Sequence, residues 1–184
     1  MPSTMTISEA FAELKQIPAR IAKKQEFILR HFSRRSKVAD PLERESTTQP
    51  KAIASEMDSI KSLWRRTTQI RMAVLAANMA TQLTVSGRAM SVQEWLEWRR
   101  EVQKSEAQLV QSLNSKVNEA RDVARRESTS LRKSDEAGGG YDDIILNMNE
   151  TEVLAWNERL DKIAGELDGQ LSRLNATTSI TIPD

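Results

Sequence analysis

The chain has 184 residues, no cysteine, one histidine and a formal net charge of +1, with 29% charged and only 4% aromatic side chains. The missing thiols exclude disulfides, thiol catalysis, iron–sulfur clusters and cysteine zinc sites, and a single histidine offers no pattern for a metal site or a hydrolase triad. An apolar fraction of 39% suits long solvated helices with narrow apolar stripes better than a thick core.

The near-neutral total conceals an asymmetry. Residues 15–37 hold eight Lys/Arg and one acid, Glu26, whereas residues 135–184 hold eleven acids and three bases, Arg159, Lys162 and Arg173. Oppositely charged ends attract each other, within a molecule or between neighbours. Met1 to Phe11 lack the basic-then-apolar order of a signal peptide. The most apolar run, Met72 to Ala80, has nine residues and includes Asn78, against roughly 20 for a membrane span. The expectation is a protein with no membrane span, cytoplasmic or carried in a virion assembled in the host cytoplasm.

Thr6 and Glu9 make a capping box. Ile7, Phe11, Leu14, Ile21, Ile28 and Phe32 then recur at three-four spacing, so residues 1–35 read as an N-terminal helix kinked at Pro18. Residues 36–51, with Pro41, Ser46, Thr47, Thr48 and Pro50, read as a linker. A second helix carries Ile53, Met57, Ile60, Trp64, Ile70, Val74 and Leu83. It is expected to stop at Val85-Ser86-Gly87, where glycine supplies left-handed geometry. Ser91 and Glu94 form a second capping box, and Trp95, Val102, Leu109, Leu113, Val117, Val123 and Leu131 mark a third helix. Joined at Ser86-Gly87, the second and third helices predict a long antiparallel hairpin over 52–134.

Residues 135–148 combine a hinge at Gly138 to Gly140 with a candidate strand at 141–146 that includes Ile144 and Ile145. From 149 to 184, Asn149 and Glu152 cap a fourth helix with a near-heptad stripe: Val153, Trp156, Leu160, Ile163, Leu167, Leu171 and Leu174. The β-branched tail at 177–182, stopped by Pro183, reads as a strand. The two candidate strands flank opposite ends of a helix roughly 35 Å long. Each is therefore expected to complete a sheet edge on a neighbouring subunit more easily than to pair with the other.

Three stretches resemble the septicolysin-like family of small helical bacterial proteins, a domain of unknown function. They are the capped opening Ile7-Ser8-Glu9-Ala10, the break from Asn78 to Thr81 and Leu83 with its glycine turn and new cap at Ser91, and the run from Tyr141 through the leucine heptads to Leu174-Asn175-Ala176-Thr177-Thr178. The resemblance implies an all-helical hairpin fold and self-association, and it transfers no catalytic residue.

His31 reads as an ordinary helix residue, and Asp142-Asp143 as loop solvation or a helix-cap contact. Gly138 to Gly140 lack the Gly-Lys-Ser/Thr of a phosphate loop. Of four Arg-Arg pairs, the later ones have Glu97, Glu101 and Glu127 beside them as salt-bridge partners. Only Arg34-Arg35 stands out as a possible nucleic-acid contact. Trp95 and Trp98, three apart, predict one indole in the core and one partly exposed.

The sequence therefore predicts an all-α fold with coiled-coil character and short β segments near 141–146 and 177–182. It predicts a non-enzymatic assembly protein that needs no cofactor and no metal. Self-association would run through Val153, Trp156, Leu160, Ile163, Leu167, Leu171, Leu174, Ile180 and Ile182, as in a homo-oligomer or a phage capsid cement, neck or tail subunit. The alternatives are a helical module binding nucleic acid through its basic N-terminal helix, and a septicolysin-like membrane-active protein.

Overall fold

A computed structural model gives the fold of residues 3–33, 35, 37, 40, 48–131 and 145–183, the side chains of 127–131 excepted. It is all-α with short β segments: β1 (Ser3–Thr6), α1 (Ile7–His31), α2 (Gln49–Ala80), β2 (Gln82–Val85), β3 (Arg88–Ser91), α3 (Val92–Glu97), a π-turn (Trp98–Val102), α4 (Gln103–Leu131), α5 (Glu150–Thr177) and β4 (Ser179–Ile182). The chain divides into two compact units, one of residues 1–81 and 171–184 and one of residues 82–170. Residues 141–144, most of the first candidate strand, and the glycine run lie outside the described residues, and Ile145 and Leu146 are not in a strand.

In the first unit, α1 opens on the expected capping box. Glu9 N donates to Thr6 Oγ1 at 3.2 Å while Thr6 N donates to Glu9 Oε2 at 2.7 Å, so two donors left open by the helix start are satisfied reciprocally. The helix runs on through Pro18. α2 begins inside the expected linker, and its N-cap Thr48 makes no side-chain cap bond. The buried Asp40 carboxylate instead accepts from Gln49 N at 2.8 Å, and Pro50 follows, where a missing N–H costs nothing.

The two helices are antiparallel, pinned by Arg66 on Glu13, Lys24 on Glu56 and Gln49 on His31. Buried and half-buried positions include 7, 10, 14, 17, 21, 24, 28 and 31 on α1, and 49, 53, 56, 60, 63, 67, 70, 74 and 77 on α2, with 13 and 27 on α1 and 52, 59, 66, 69, 73, 75 and 78 on α2 widening the contact. The spacing of threes and fours is that of a coiled-coil seam. It corrects the expected stripes: Phe11, Phe32, Met57 and Trp64 are exposed, and Ala10, Ile17 and Leu63 are buried in the seam.

One end of the pair is closed by a two-stranded ribbon. β4 pairs antiparallel with β1, Ser3 opposite Ile182 and Thr6 opposite Ser179, which buries Ile180 and Ile182 against Ile7, Ala10, Ile17, Leu63, Ile70 and Val74. Each such aliphatic side chain contributes on the order of 1.5–3 kcal/mol when removed from water. The expected donation of this strand to a neighbouring subunit is thereby overturned. Its partner is the chain's own Ser3–Thr6, a segment not read as a strand from sequence.

In the second unit, the expected helix stop at Val85-Ser86-Gly87 is a β-hairpin. α2 ends at Ala80, and β2 pairs with β3 through Ser86 (φ 49°) and Gly87 (φ 80°). Two successive positive φ angles are the signature of a two-residue type I′ turn. α5 holds this turn: Glu166 accepts from Ser86 N and Oγ at 3.0 Å, and Gln170 Nε2 donates to Thr84 O at 2.8 Å. Trp95 Nε1 donates to Leu83 O at 3.1 Å, fixing α3 to β2.

α4 and α5 run antiparallel, with Arg99 on Asp168 towards one end and Arg121 on Glu150 towards the other. The π-turn, five residues closed by i→i+5 bonds, inserts one residue into the helix and rotates everything after it by one position. The inward face passes from Trp95 and Trp98 to Gln103, Glu106, Val110, Leu113, Val117 and Ala120, all buried or half-buried. The expected stripe members Val102, Leu109 and Val123 are exposed for that reason.

Candidate functional site

The heptad residues read as an interface do their work inside the chain. Val153, Leu160, Leu167 and Leu171 are buried, and Trp156, Ile163 and Leu174 half-buried, so they are not a free surface. Ile180 and Ile182 are in the ribbon core. Trp95 and Trp98 are both buried, their rings meeting edge to face at 5.5 Å, which corrects the expectation that one would be exposed. Arg35 is exposed, and Arg34 lies outside the described residues, as do Asp142 and Asp143.

The unexpected feature is in the half of the α1–α2 pair away from the ribbon, where polar pairs alternate with Ile28, Ile53 and Ile60 in the seam and large apolar residues stand outside it. The seam holds Lys24, bonded to Glu56 at 2.7 Å, and His31, in contact with Gln49 at 3.3 Å. The outside holds Leu29, Phe32, Met57 and Trp64, with 75%, 77%, 41% and 53% of their surface exposed. Gln25, Ile28, Leu29, Met57, Ile60 and Trp64 line an open groove of about 470 Å³. Helical spacing explains how it arises: Gln25, Ile28, Leu29 and Phe32 lie on one face of α1, and Met57, Ile60 and Trp64 on one face of α2. Isolated exposed apolar residues are ordinary, but a contiguous patch marks a contact site.

The charge on this unit is positive. Lys23, Arg35, Lys37 and Arg65 are exposed and make no ion pair among the described residues. Arg66 is engaged, its Nε and Nη2 donating to the two oxygens of Glu13 at 2.9 and 3.1 Å. That hydrogen bonding holds the Glu13 carboxyl below its usual pKa. Glu94 is likewise lowered, first by the backbone N–H of Ser91 that it accepts. These are structural carboxylates, each already committed to a partner.

A second, more enclosed cavity, of about 260 Å³, lies in the other unit between the β2–β3 turn, the π-turn and α5. It is lined by Trp95, Trp98, Leu160 and Ile163 with the charged Arg88, Glu106 and Arg159. Glu106 stands in the inward face of α4 because of the π-turn. Among the described residues, no three His, Asp or Glu come together to hold a metal ion, and no helix is long and apolar enough to cross a membrane.

No protein-family model matches the chain, and no curated protein matches it. Among solved structures it is similar to the crystal structure of a functionally unknown conserved protein from Corynebacterium diphtheriae. The match has a TM-score of 0.46 and 16% sequence identity, and covers 97% of this chain and 99% of that one.

Proposed function

We propose that this chain is a non-enzymatic assembly protein that associates with copies of itself, with the α1–α2 groove as its docking face. The observation that carries the reading is the exposed apolar face on the hairpin's distal half. Lys24–Glu56 and His31–Gln49 share the seam with Ile28, Ile53 and Ile60, while Trp64, Met57, Leu29 and Phe32 face outwards. Each of these exposed apolar side chains forgoes the burial energy that it would gain against a partner. An exposed tryptophan beside aliphatic neighbours is also the composition of an interface hot spot.

The surface differs from the one expected from sequence, where the leucine heptads were to be shared between subunits. Those residues are filled by the chain's own helices, which leaves the groove as the better docking face. An array subunit such as a capsid cement, neck or tail component is the setting proposed for such a protein. The test is solution mass by light scattering over a range of concentrations, for the natural chain and for Trp64→Glu. The natural chain is expected to gain mass with concentration and the variant to stay monomeric. A natural chain that is monomeric throughout overturns the reading. Retention on DNA that falls steeply with salt would favour the basic surface as a nucleic-acid site instead.

A further inference from the structure

The cavity of the second unit joins an apolar lining to charged groups that have no bound partner. Trp95, Trp98 and Leu160 are buried in its wall. Glu106 is half-buried there, and Arg88 and Arg159 reach it from exposed positions. None of these three charged side chains makes a hydrogen bond or ion pair among the described residues. Arg88 adds only a longer-range attraction to the lowering of the Glu94 carboxyl that Ser91 begins. The other charges of the surrounding elements do not compete for the space. Glu101, Lys104, Glu158 and Lys162 do not line it, while Glu94 accepts from Ser91, Glu166 from Ser86 and Asp168 from Arg99.

The π-turn is what brings the carboxylate in. An uninterrupted helix would continue the face of Trp95 and Trp98 with Val102 and Leu109. The inserted residue turns those two outwards and sets Gln103 and Glu106 inside. That exchange forgoes apolar burial, and π-turns within helices recur at functional sites. A carboxylate half-buried beside indole and aliphatic surface also loses hydration, which a charged partner restores.

We propose that this cavity binds a small zwitterion with an apolar side chain, the chemistry of a free aliphatic or aromatic α-amino acid, independently of any assembly through the α1–α2 groove. Glu106 takes the ammonium group, which also gains from the indole rings beside it. Arg88 and Arg159 take the carboxylate, to which guanidinium groups bind in a planar fork. Leu160, Ile163 and the two tryptophans shelter the side chain. A simple amine would leave both arginines without a partner, and a dicarboxylate would set a second negative charge against Glu106. The volume of about 260 Å³ lies below the roughly 300–1,000 Å³ of pockets for larger ligands, which suits one amino acid and not a peptide.

The experiment is isothermal titration of the full-length chain with L-leucine and with L-phenylalanine, each compared with its N-acetyl and its amide form. At least one free amino acid should saturate with a Kd of roughly 0.1–1 mM, as suits a ligand of so few atoms. Its two capped forms, each lacking one charge, should bind about tenfold more weakly or worse. In Glu106→Gln the free and N-acetylated forms should bind alike. In Arg159→Met the free and amide forms should bind alike. A variant that merely loosens the fold would weaken all forms together, so the lost preference is the readout, with circular dichroism confirming that each variant is folded. No saturable heat from either amino acid up to about 10 mM overturns the proposal. An N-acetyl form that binds as tightly as the free amino acid overturns it too, since that describes a plain anion site. A preference that survives in both variants overturns it by placing the ligand elsewhere on the chain.

Discussion

The two halves of the α1–α2 hairpin differ in polar content although one heptad register runs through both. Near the ribbon, the seam is apolar apart from Thr67: Ile7, Ala10 and Ile17 meet Leu63, Ile70 and Val74 beneath Ile180 and Ile182. Farther along, the same register holds Lys24 against Glu56 and His31 against Gln49 between Ile28, Ile53 and Ile60, and Leu29, Phe32, Met57 and Trp64 stand outside. The first half supplies stability. The second places polar pairs at seam positions, where they tolerate fewer alternative alignments than interchangeable aliphatics do. A helix pair can thus be a folding unit at one end and a contact surface at the other.

The largest effect that separates the halves should come from Ile70→Ala. The side chain is fully buried at the ribbon end, and its loss should cost about 2–5 kcal/mol in chemical denaturation. Trp64→Glu at the other end should change that midpoint little while abolishing assembly. Equal destabilisation by the two would erase the distinction. Next comes the polar seam. Glu56→Leu alone leaves Lys24 facing an apolar partner and should lower stability by about 1 kcal/mol, whereas Lys24→Met combined with Glu56→Leu should restore or raise it. A double variant less stable than the single one would show that the pair contributes net stability.

A comparable effect is expected outside the hairpin. Gly87 has open space around it, so only its φ of 80° demands glycine, and Gly87→Ala should cost about 1 kcal/mol in thermal denaturation. The smallest effect is one of pH. Glu13 is held below its ordinary value of 4.5 by Arg66, so its contribution is present above about that pH and is lost as pH falls through the lowered value. Glu13→Gln should therefore flatten, though not abolish, the acid side of the stability profile, since Glu9, Glu94 and Glu119 are lowered in the same direction.

What was legible in the sequence was what is local. The capping boxes at Thr6 and Ser91 are three-residue signals, and both are present. The helical class followed from spacing alone. Spacing did not show which of two neighbouring faces turns inwards: Met57 and Trp64 fit a three-four pattern as well as Leu63 and Ile70 do, and only the partner helix decides between them. The π-turn defeated periodicity in another way, since one inserted residue moves the face from Val102 and Leu109 to Gln103 and Val110 without any change in composition. Ser86-Gly87 was misread because a glycine after a helix signals a stop and a type I′ turn equally well, and the strands around it have only four residues each. The docking groove was illegible for a related reason, being visible only once the seam is assigned.

The pairing of Ser3–Thr6 with Ser179–Ile182 also governs the order of events during synthesis. Helices α1 and α2 can meet as soon as both have left the ribosome, but the ribbon that covers Ile7 and Ile70 needs β4 to be made. Until then the most apolar end of the hairpin is open to water and to any chaperone that recognises such surface. Stopping translation before residue 179 should accordingly yield a nascent chain that is helical yet aggregation-prone, with β1 still without β4.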